Sequence, residues 1–503
     1  MDLSSWLERR ADLAPDRCAI HFEGIDYDWA TLHRQMRRLA GVLAARGVAA
    51  GDRVAHLGYN SPIFLVLLFA CARLGAILVP LNWRLAVPEH HTILADAEPK
   101  LLLHDASFAA HVEKLATSGL NCATQCLDGE GANDLAAQMG AAAERDADPA
   151  ISYDKPVLIV YTSGTTGRPK GAVLRQEALL WNAVNSTLMH DLTSEDHVLT
   201  TLPMFHVGGL NIQTLPALHA GACVSLHRRF DVAATLAAIA QRRPTLTVLV
   251  PAQLSAMLDH PAWAETDLSS LRAITTGSSI VPVSLIERIH ARGVPVIQVY
   301  GSTETAPVAI YQTRDQAFAS VGSCGKPGLH CEARIVDGEG RKVAPGGRGE
   351  ILIRGPNVMQ GYWRNAEATT AALRDGWFHT GDIAHQDERG FYYVDERKND
   401  VIISGGENIY PAEIESLILE DSRIAEVAIV ARPDERWGEV PVAVIVRRAE
   451  ARIGAEEVRA LFQDRLARFK HPRDIIFVDA LPKNVMGKVL RHELRRMVAA
   501  SAS

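Results

Sequence analysis

Apolar positions along the chain recur with two different periods, and the alternation between them sets the expected architecture. The spacing predicts an amphipathic helix over 3–14, a hairpin over 18–27 and a second helix over 28–46. A strand over 54–57, an all-apolar helix near 62–74 and a strand over 76–81 come next, and 100–104 continues the series. Such strand–helix–strand succession predicts an α/β fold with a mainly parallel sheet. Residues 128–156 are rich in Gly, Ala and Asp and poor in large apolar side chains. They read as a surface excursion with at most one loose helix, before a core strand at 157–160. The rhythm resumes with strands over 197–202, 222–226, 246–250, 273–276 and 296–300, and helices over 210–220 and 233–242. From about 321 to 395 short alternating runs with glycine turns predict an antiparallel β subdomain, with strands at 331–337, 349–354 and 390–395. Beyond Asp400 the pattern returns to mixed β and α and becomes strongly charged, which sets a domain boundary there.

Composition changes this picture little. The chain has 503 residues, enough for two or three domains, and its 48% hydrophobic and 22% charged content is ordinary for a globular protein. A net charge of −7 without a basic block argues against a nucleic-acid partner. The N-terminus has no apolar signal core, and the longest greasy run, 63–72, is cut by Arg73 and is too short to span a bilayer. No transmembrane segment is expected, and the cytoplasm is the default location. The seven cysteines lack metal-site spacing and read as free thiols, mostly packing residues.

The candidate chemistry centres on Tyr161-Thr-Ser-Gly-Thr-Thr-Gly-Arg-Pro-Lys-Gly171, directly after the core strand. Gly164 and Gly167 let a backbone turn tightly and bring its N–H groups close to a ligand. Thr162, Ser163, Thr165 and Thr166 add hydroxyls, and Lys170 adds a charge. That set suits an oligophosphate, although Walker A spacing is absent. Two further glycine turns, Thr276-Gly-Ser-Ser279 and Tyr300-Gly-Ser-Thr-Glu304, follow predicted strands, where open α/β sheets bind ligands. Glu304 is a carboxylate suited to Mg²⁺. Asp382, in Trp377-Phe-His-Thr-Gly-Asp382, could accept two hydroxyl donors at once. His206 lies among apolar residues and two glycines; a histidine so placed is usually a hydrogen-bonded core residue.

The loop at 161–171 resembles the signature of the adenylate-forming superfamily, which includes acyl-CoA synthetases, luciferases and peptide-synthetase adenylation domains. The resemblance extends to Tyr300–Glu304, Trp377–Asp382, Val401–Glu415 and Leu481-Pro-Lys-Asn-Val-Met-Gly-Lys488, in order along essentially the whole chain. It implies a large N-terminal domain, 1–398, of two α/β lobes plus a β subdomain, and a small mobile α+β C-terminal domain, 399–503, that acts as a lid. It also implies ATP, Mg²⁺ and coenzyme A. By this likeness residues 162–167, Lys170, Gly277, Ser278, Ser279, Tyr300, Gly301, Thr303, Asp382 and Arg397 bind ATP. Tyr300 stacks on adenine, Thr303 meets the α-phosphate, and Asp382 and Arg397 hold the ribose. Glu304, with Thr162, holds magnesium; Lys488 is the catalytic lysine, and His206 lines the carboxylate pocket. Asn399 falls at the hinge, where the family usually has Asp or Lys. Gly405, Gly406, Arg84, Trp437, His471 and Arg473 occupy coenzyme A positions, His471 replacing a usual basic residue.

The implied reaction is acid activation as an acyl-adenylate, followed by transfer to coenzyme A. His206 argues against an amino-acid substrate, since peptide-synthetase modules usually have Asp there and continue into a carrier domain. Candidate acyl-pocket residues, Val207, Gly208, Gly209, Asn211, Ser278 and Ala306, are small or uncharged. They favour a medium- or long-chain fatty acid, with an aryl acid of the benzoate or cinnamate type as the alternative. A luciferase-like oxygenase would share every motif. A homodimer is compatible with the sequence, which does not select it.

Overall fold

The computed structural model describes residues 1–129, 134–163, 168–278, 281, 283–397, 401–448, 451–482, 489 and 491–500. The chain divides into two compact units: Met1–Trp83, Leu94–Tyr161 and Gly171–Glu396 form the first, and Arg84–Ile93, Thr162–Lys170 and Arg397–Ser503 the second.

The first unit is built on a nine-stranded and a seven-stranded sheet. In the nine-stranded sheet, Cys18–Phe22, Cys223–Leu226, His197–Thr200, Leu246–Val248, Ala273–Thr276 and Val296–Tyr300 run parallel. Ile25–Asp28 closes one edge as the antiparallel arm of the expected hairpin. The seven-stranded sheet centres on Arg53–Leu57, Ile77–Pro80, Leu101–His104 and Pro156–Ser163. A five-stranded, largely antiparallel sheet carries Glu332–Val336, Gly349–Arg354 and Trp377–Gln386, as the glycine-rich texture of that stretch predicts. Among the described residues the excursion before 157 holds a single short helix, Leu135–Ala141.

The apolar run at 62–74 is a buried helix, Pro62–Leu74, started by Pro62 and stopped at Gly75, which adopts φ 67°. Its Arg73 is only 2% exposed and donates to Ser4 Oγ and Glu8, both at 2.9 Å. The charge that cuts the run is therefore paired inside the fold. Among the described residues no helix is long and apolar enough to cross a membrane. All seven cysteines are free thiols.

One predicted helix departs from regularity. Residues 210–220 form a π-helical turn, Leu210–Thr214, before α-helix Leu215–Ala220. Side chains take the carbonyls that an α-helical ladder would use. Thr214 Oγ1 donates to Gly209 O at 2.7 Å, Asn182 to Asn211 O at 2.6 Å and Ser186 to Ile212 O at 2.5 Å. Helices Val87–Ala97, Ala109–Thr117 and Gln176–His190 carry no prediction from the sequence pattern.

The second unit has a five-stranded sheet in which Gly438–Arg447 pairs antiparallel with Ile424–Asp434 and parallel with Asp474–Val478. Ile402, Ile414, Ile429, Ile445 and Phe462 fill its core at 0% exposure.

Two histidines buried in the first unit make its stability depend on pH. His190 Nδ1 donates to Ser186 O at 2.8 Å, while Nε2 accepts from Thr275 at 2.8 Å and Gln213 at 3.2 Å. Protonating Nε2 would set a donor against the Gln213 amide, and burial pulls this imidazole down to about 4. Burial, with a smaller contribution from His104, pulls His56 to about 3. A depressed histidine contributes stability above its unfolded value of about 6.5 and loses it as pH falls. Each such group lowers stability by about 1.4 kcal/mol per pH unit below that value. Thermal melts between pH 7 and 4.5 are expected to show a progressive fall in Tm, and His190→Gln to flatten the slope; an unchanged slope would refute this assignment.

Candidate active site

Tyr300 ends its strand, and the following Gly301 has no room for a side chain: a Cβ there would lie 1.6 Å from Pro307 O. Gly277, after the neighbouring strand, is held in the same way by Val299 O at 2.5 Å. Both glycines are therefore required by strand-end packing. Ser278 follows Gly277 at φ 69° and is exposed.

Glu304 sits in the 3-10 turn Thr303–Thr305, which Ser302 N–H closes by donating to Thr305 Oγ1 at 2.9 Å and which ends in Ala306 at φ 68°. Two contacts from another segment fix the glutamate. Tyr362 O–H donates to Glu304 Oε1 at 2.8 Å, and Met359 N–H to Glu304 O at 2.7 Å. Tyr362 carries no motif signal, because its partner lies 58 residues away.

Asp382 lies on Trp377–Gln386 where the pairing slips: Glu350 faces Ile383 but Leu352 faces His379, leaving Thr380–Asp382 opposite Ile351. Gly381 takes φ 73° in this bulge, its N–H donates to Glu350 Oε1 at 3.0 Å, and Thr380 O–H donates to Ile351 O at 2.8 Å. The bulge brings Asp382, 9% exposed, to Tyr300, whose hydroxyl donates to Asp382 Oδ2 at 2.8 Å. Two motifs far apart in sequence thus meet directly.

His206 precedes the short helical turn Val207–Gly209 that runs into the π turn. Its ring packs on Phe205 (centroids 4.5 Å apart), Phe205 faces Trp83 at 6.4 Å, and Trp83 faces Tyr59 at 4.9 Å. A row of rings leads away from the histidine. The two glycines beside it differ. A Cβ on Gly209 would lie 2.3 Å from Pro203 O, whereas on Gly208 the nearest atoms would be Ser278 Oγ at 3.9 Å and Ile212 Cδ1 at 4.0 Å. Gly208 therefore opens space next to Ser278. Asn211, on the π turn, is fully buried.

In the second unit Thr162 Oγ1 approaches Lys170 O at 3.4 Å, and Lys170 is half-buried. Gly405 and Gly406 adopt φ 58° and 85°. Trp437 ring carbon Cε3 lies 2.8 Å from where a Gly405 Cβ would stand, and Gly405 N–H donates to Trp437 O at 2.8 Å. Arg436 stacks over the indole at 4.8 Å. Arg84 pairs with Glu407, a residue sequence motifs did not single out. His471 Nε2 donates to Leu466 O at 2.9 Å, and Arg473 N–H to Pro441 O at 2.7 Å. Gly164, Thr165, Thr166, Gly167, Ser279, Asn399 and Lys488 lie outside the described residues, as do the side chains of Ser163 and Arg397.

Among the described residues no group of three acidic, His or Cys side chains could enclose a metal. A single carboxylate is nevertheless what Mg²⁺ needs when most of its oxygens come from phosphates and water, and Glu304 supplies one.

Comparison with known proteins agrees in both parts of the chain. The AMP-binding enzyme family model matches residues 7–363, and the AMP-binding enzyme C-terminal domain model matches 413–488. An indoleacetate–CoA ligase from Aromatoleum aromaticum is 52% identical over 99% of this chain and 98% of its own. A feruloyl-CoA synthase from Amycolatopsis is 42% identical over 98% of each. The solved structure of an o-succinylbenzoate CoA synthetase from Bacillus subtilis superposes with a TM-score of 0.88 at 35% identity, covering 98% of both chains. The chain belongs to the AMP-binding enzyme family and is an AMP-forming acid–CoA ligase.

Proposed function

We propose that this ligase acts on an aromatic monocarboxylic acid, with a bicyclic arylacetate of the indoleacetate kind as the leading candidate. The observation that carries the reading is the likeness to an indoleacetate–CoA ligase over nearly the whole of both chains. The row of rings from His206 to Tyr59 supports it, because flat side chains receive a flat ring well. The small residues of the candidate pocket favoured a fatty chain in the sequence, and that preference is corrected. Small side chains leave room without specifying what fills it, and the two relatives above are named for aromatic acids. The absence of Arg and Lys from 207–211 and 306–309 disfavours a second carboxylate on the substrate.

In the proposed mechanism residues 1–398 form the adenylate-forming domain and 399–503 the C-terminal domain. A substrate carboxylate oxygen attacks the α-phosphorus of ATP, and the bond to pyrophosphate breaks. The sulfur of coenzyme A then attacks the acyl carbon, AMP leaves with the bond electrons, and the thiol proton goes to solvent. Magnesium, when bound with ATP, neutralises phosphate charge; Glu304 and Thr162 would hold it. Tyr362 keeps the Glu304 carboxylate oriented. Asp382 accepts the ribose hydroxyls, and Tyr300, tied to Asp382 through its hydroxyl, presents its ring to adenine at a fixed angle. Residues 162–167, Lys170, Gly277, Ser278, Ser279, Gly301, Thr303 and Arg397 complete the nucleotide site. Lys488 bridges carboxylate and α-phosphate, where negative charge gathers. A turn at Asn399 then brings Gly405 and Gly406 to the thiol, with Arg84, Trp437, His471 and Arg473 on the nucleotide of coenzyme A.

With Mg·ATP and coenzyme A, indole-3-acetate or another arylacetate is expected to exceed octanoate and palmitate in kcat/KM by at least about ten-fold. Mass spectrometry of the thioesters reads this out, and a dominant fatty acyl product would overturn it. Gly208→Val is expected to keep the melting temperature, since its Cβ would meet only ordinary van der Waals contacts. It should lower kcat/KM for the bicyclic acid by roughly ten-fold or more while sparing a one-ring acid; an equal loss for both would refute the pocket assignment. Asp382→Asn should raise KM for ATP by roughly ten- to hundred-fold, the scale of a lost hydrogen bond to a charged group, and Tyr300→Phe by less. Unaltered ATP kinetics in Asp382→Asn would exclude it from the ribose site.

A further inference from the structure

One buried ion cluster in the second unit has no part in the chemistry above. Lys470, 4% exposed, ends the 3-10 turn Arg468–Lys470 and directs its ammonium at two carboxylates. It donates to Glu89 Oε1 at 2.5 Å and to both oxygens of Glu413 at 2.9 Å, so all three protons find acceptors. Glu89 is itself 9% exposed, and its other oxygen accepts Ala467 N–H at 2.8 Å and Ala86 N–H at 2.9 Å. Burial pushes the Glu413 carboxyl upward against the pull of Lys470. Burial also disfavours the Lys470 ammonium, yet the two facing carboxylates hold its pKa above the usual lysine value. Such a cluster is a poor source of net stability, but removing one partner strands the other charges.

The three segments it ties together carry or directly adjoin every coenzyme A candidate except Trp437. Glu89 belongs to Arg84–Ile93, which begins with Arg84. Glu413 lies in the first turn of helix Pro411–Ile418, shortly after Gly405 and Gly406. Lys470 directly precedes His471 and Arg473. A second tie, Arg84 to Glu407, joins the same segments. We propose that Lys470 and Glu89 are positioning residues that assemble the coenzyme A site by locking Arg84–Ile93 to the turn bearing His471 and Arg473. The inference rests on the proposed two-step reaction. Glu89 precedes the proposed turning point at Asn399, whereas Lys470 and Glu413 follow it. The turn would part Glu89 from Lys470 and leave the Lys470–Glu413 pair intact. The lock therefore serves the thioester step and not adenylation.

The test compares the two half-reactions in Lys470→Met, Glu89→Gln and Glu89→Ala, using full-length protein and an acid that the wild type activates. ATP–pyrophosphate exchange reports adenylation, and AMP-coupled thioester formation across coenzyme A concentrations reports the second step. Exchange is expected to stay within about two-fold of wild type, while kcat/KM for coenzyme A falls on the order of ten-fold or more. Glu89→Gln, which keeps the amide contacts but loses the charge, should fall between wild type and Glu89→Ala. If Lys470→Met does not fold, Glu89→Gln carries the test. A parallel loss of both half-reactions would mean a merely structural role and overturn the proposal, as would unchanged coenzyme A kinetics. A wild type that makes adenylate but no thioester with any acid would overturn the two-step reading itself, a failure distinct from these.

Discussion

The hydrogen bond from Tyr300 to Asp382 is the contact on which the arrangement of the first unit's chemistry depends. Its two ends come from different sheets, and each is delivered by a local irregularity. Tyr300 is set by a strand end packed so tightly that Gly301 admits no side chain. Asp382 is set by a bulge in which three residues face one. An antiparallel strand in regular register would fix the direction of residue 382 by simple alternation. The bulge frees it from that alternation, and the Thr380 and Glu350 contacts then hold the new direction. The proposed nucleotide site is thus oriented by hydrogen bonds and backbone packing before any nucleotide arrives, which lowers the ordering cost of binding.

The glycines of the motifs do not all serve the ligand. At 209, 277 and 301 the missing Cβ would collide with a backbone carbonyl, so the fold alone demands glycine there. At 405 the space belongs to the Trp437 ring, in a backbone conformation with positive φ that other residues rarely adopt. Gly208 differs from them: its side-chain space is open and adjoins Ser278. A motif read as one functional string is therefore a mixture of packing constraints and chemistry. Only the three-dimensional neighbours separate them.

This also explains what was legible in the sequence. The buried helix at 62–74, the strands of the parallel sheet and the antiparallel subdomain follow from local periodicity, which acts over a few residues. The family resemblance located Tyr300, Glu304 and Asp382 because these sit within motifs. Periodicity could not foresee the π turn at 210–214, since its cause is the reach of Asn182 and Ser186 from another helix. Tyr362 escaped for the same reason, since it acts through a partner distant in sequence; Glu407 lies inside the 401–415 motif, but nothing in that string shows its pairing with Arg84. Residue size favoured a fatty acid over the aryl alternative because it measures volume, whereas preference for a ring depends on the shape and surroundings of that volume; the relatives favour the alternative.

The Lys470 cluster brings the same argument to a contact that joins residues 381 positions apart. An apolar contact in its place would contribute more net stability, because nothing charged would need to leave water. It would also be indifferent to small errors of register and slow to release. An ammonium with three acceptors within hydrogen-bond distance tolerates little displacement, and each part keeps a partner when Glu89 separates: Lys470 retains Glu413, and Glu89 regains water. Marginal stability with strict geometry is the combination required of a contact that, under the proposed turn at Asn399, forms and dissolves in every turnover. On that argument the polar character of this buried cluster follows from the proposed turn, which separates Glu89 from Lys470 and Glu413.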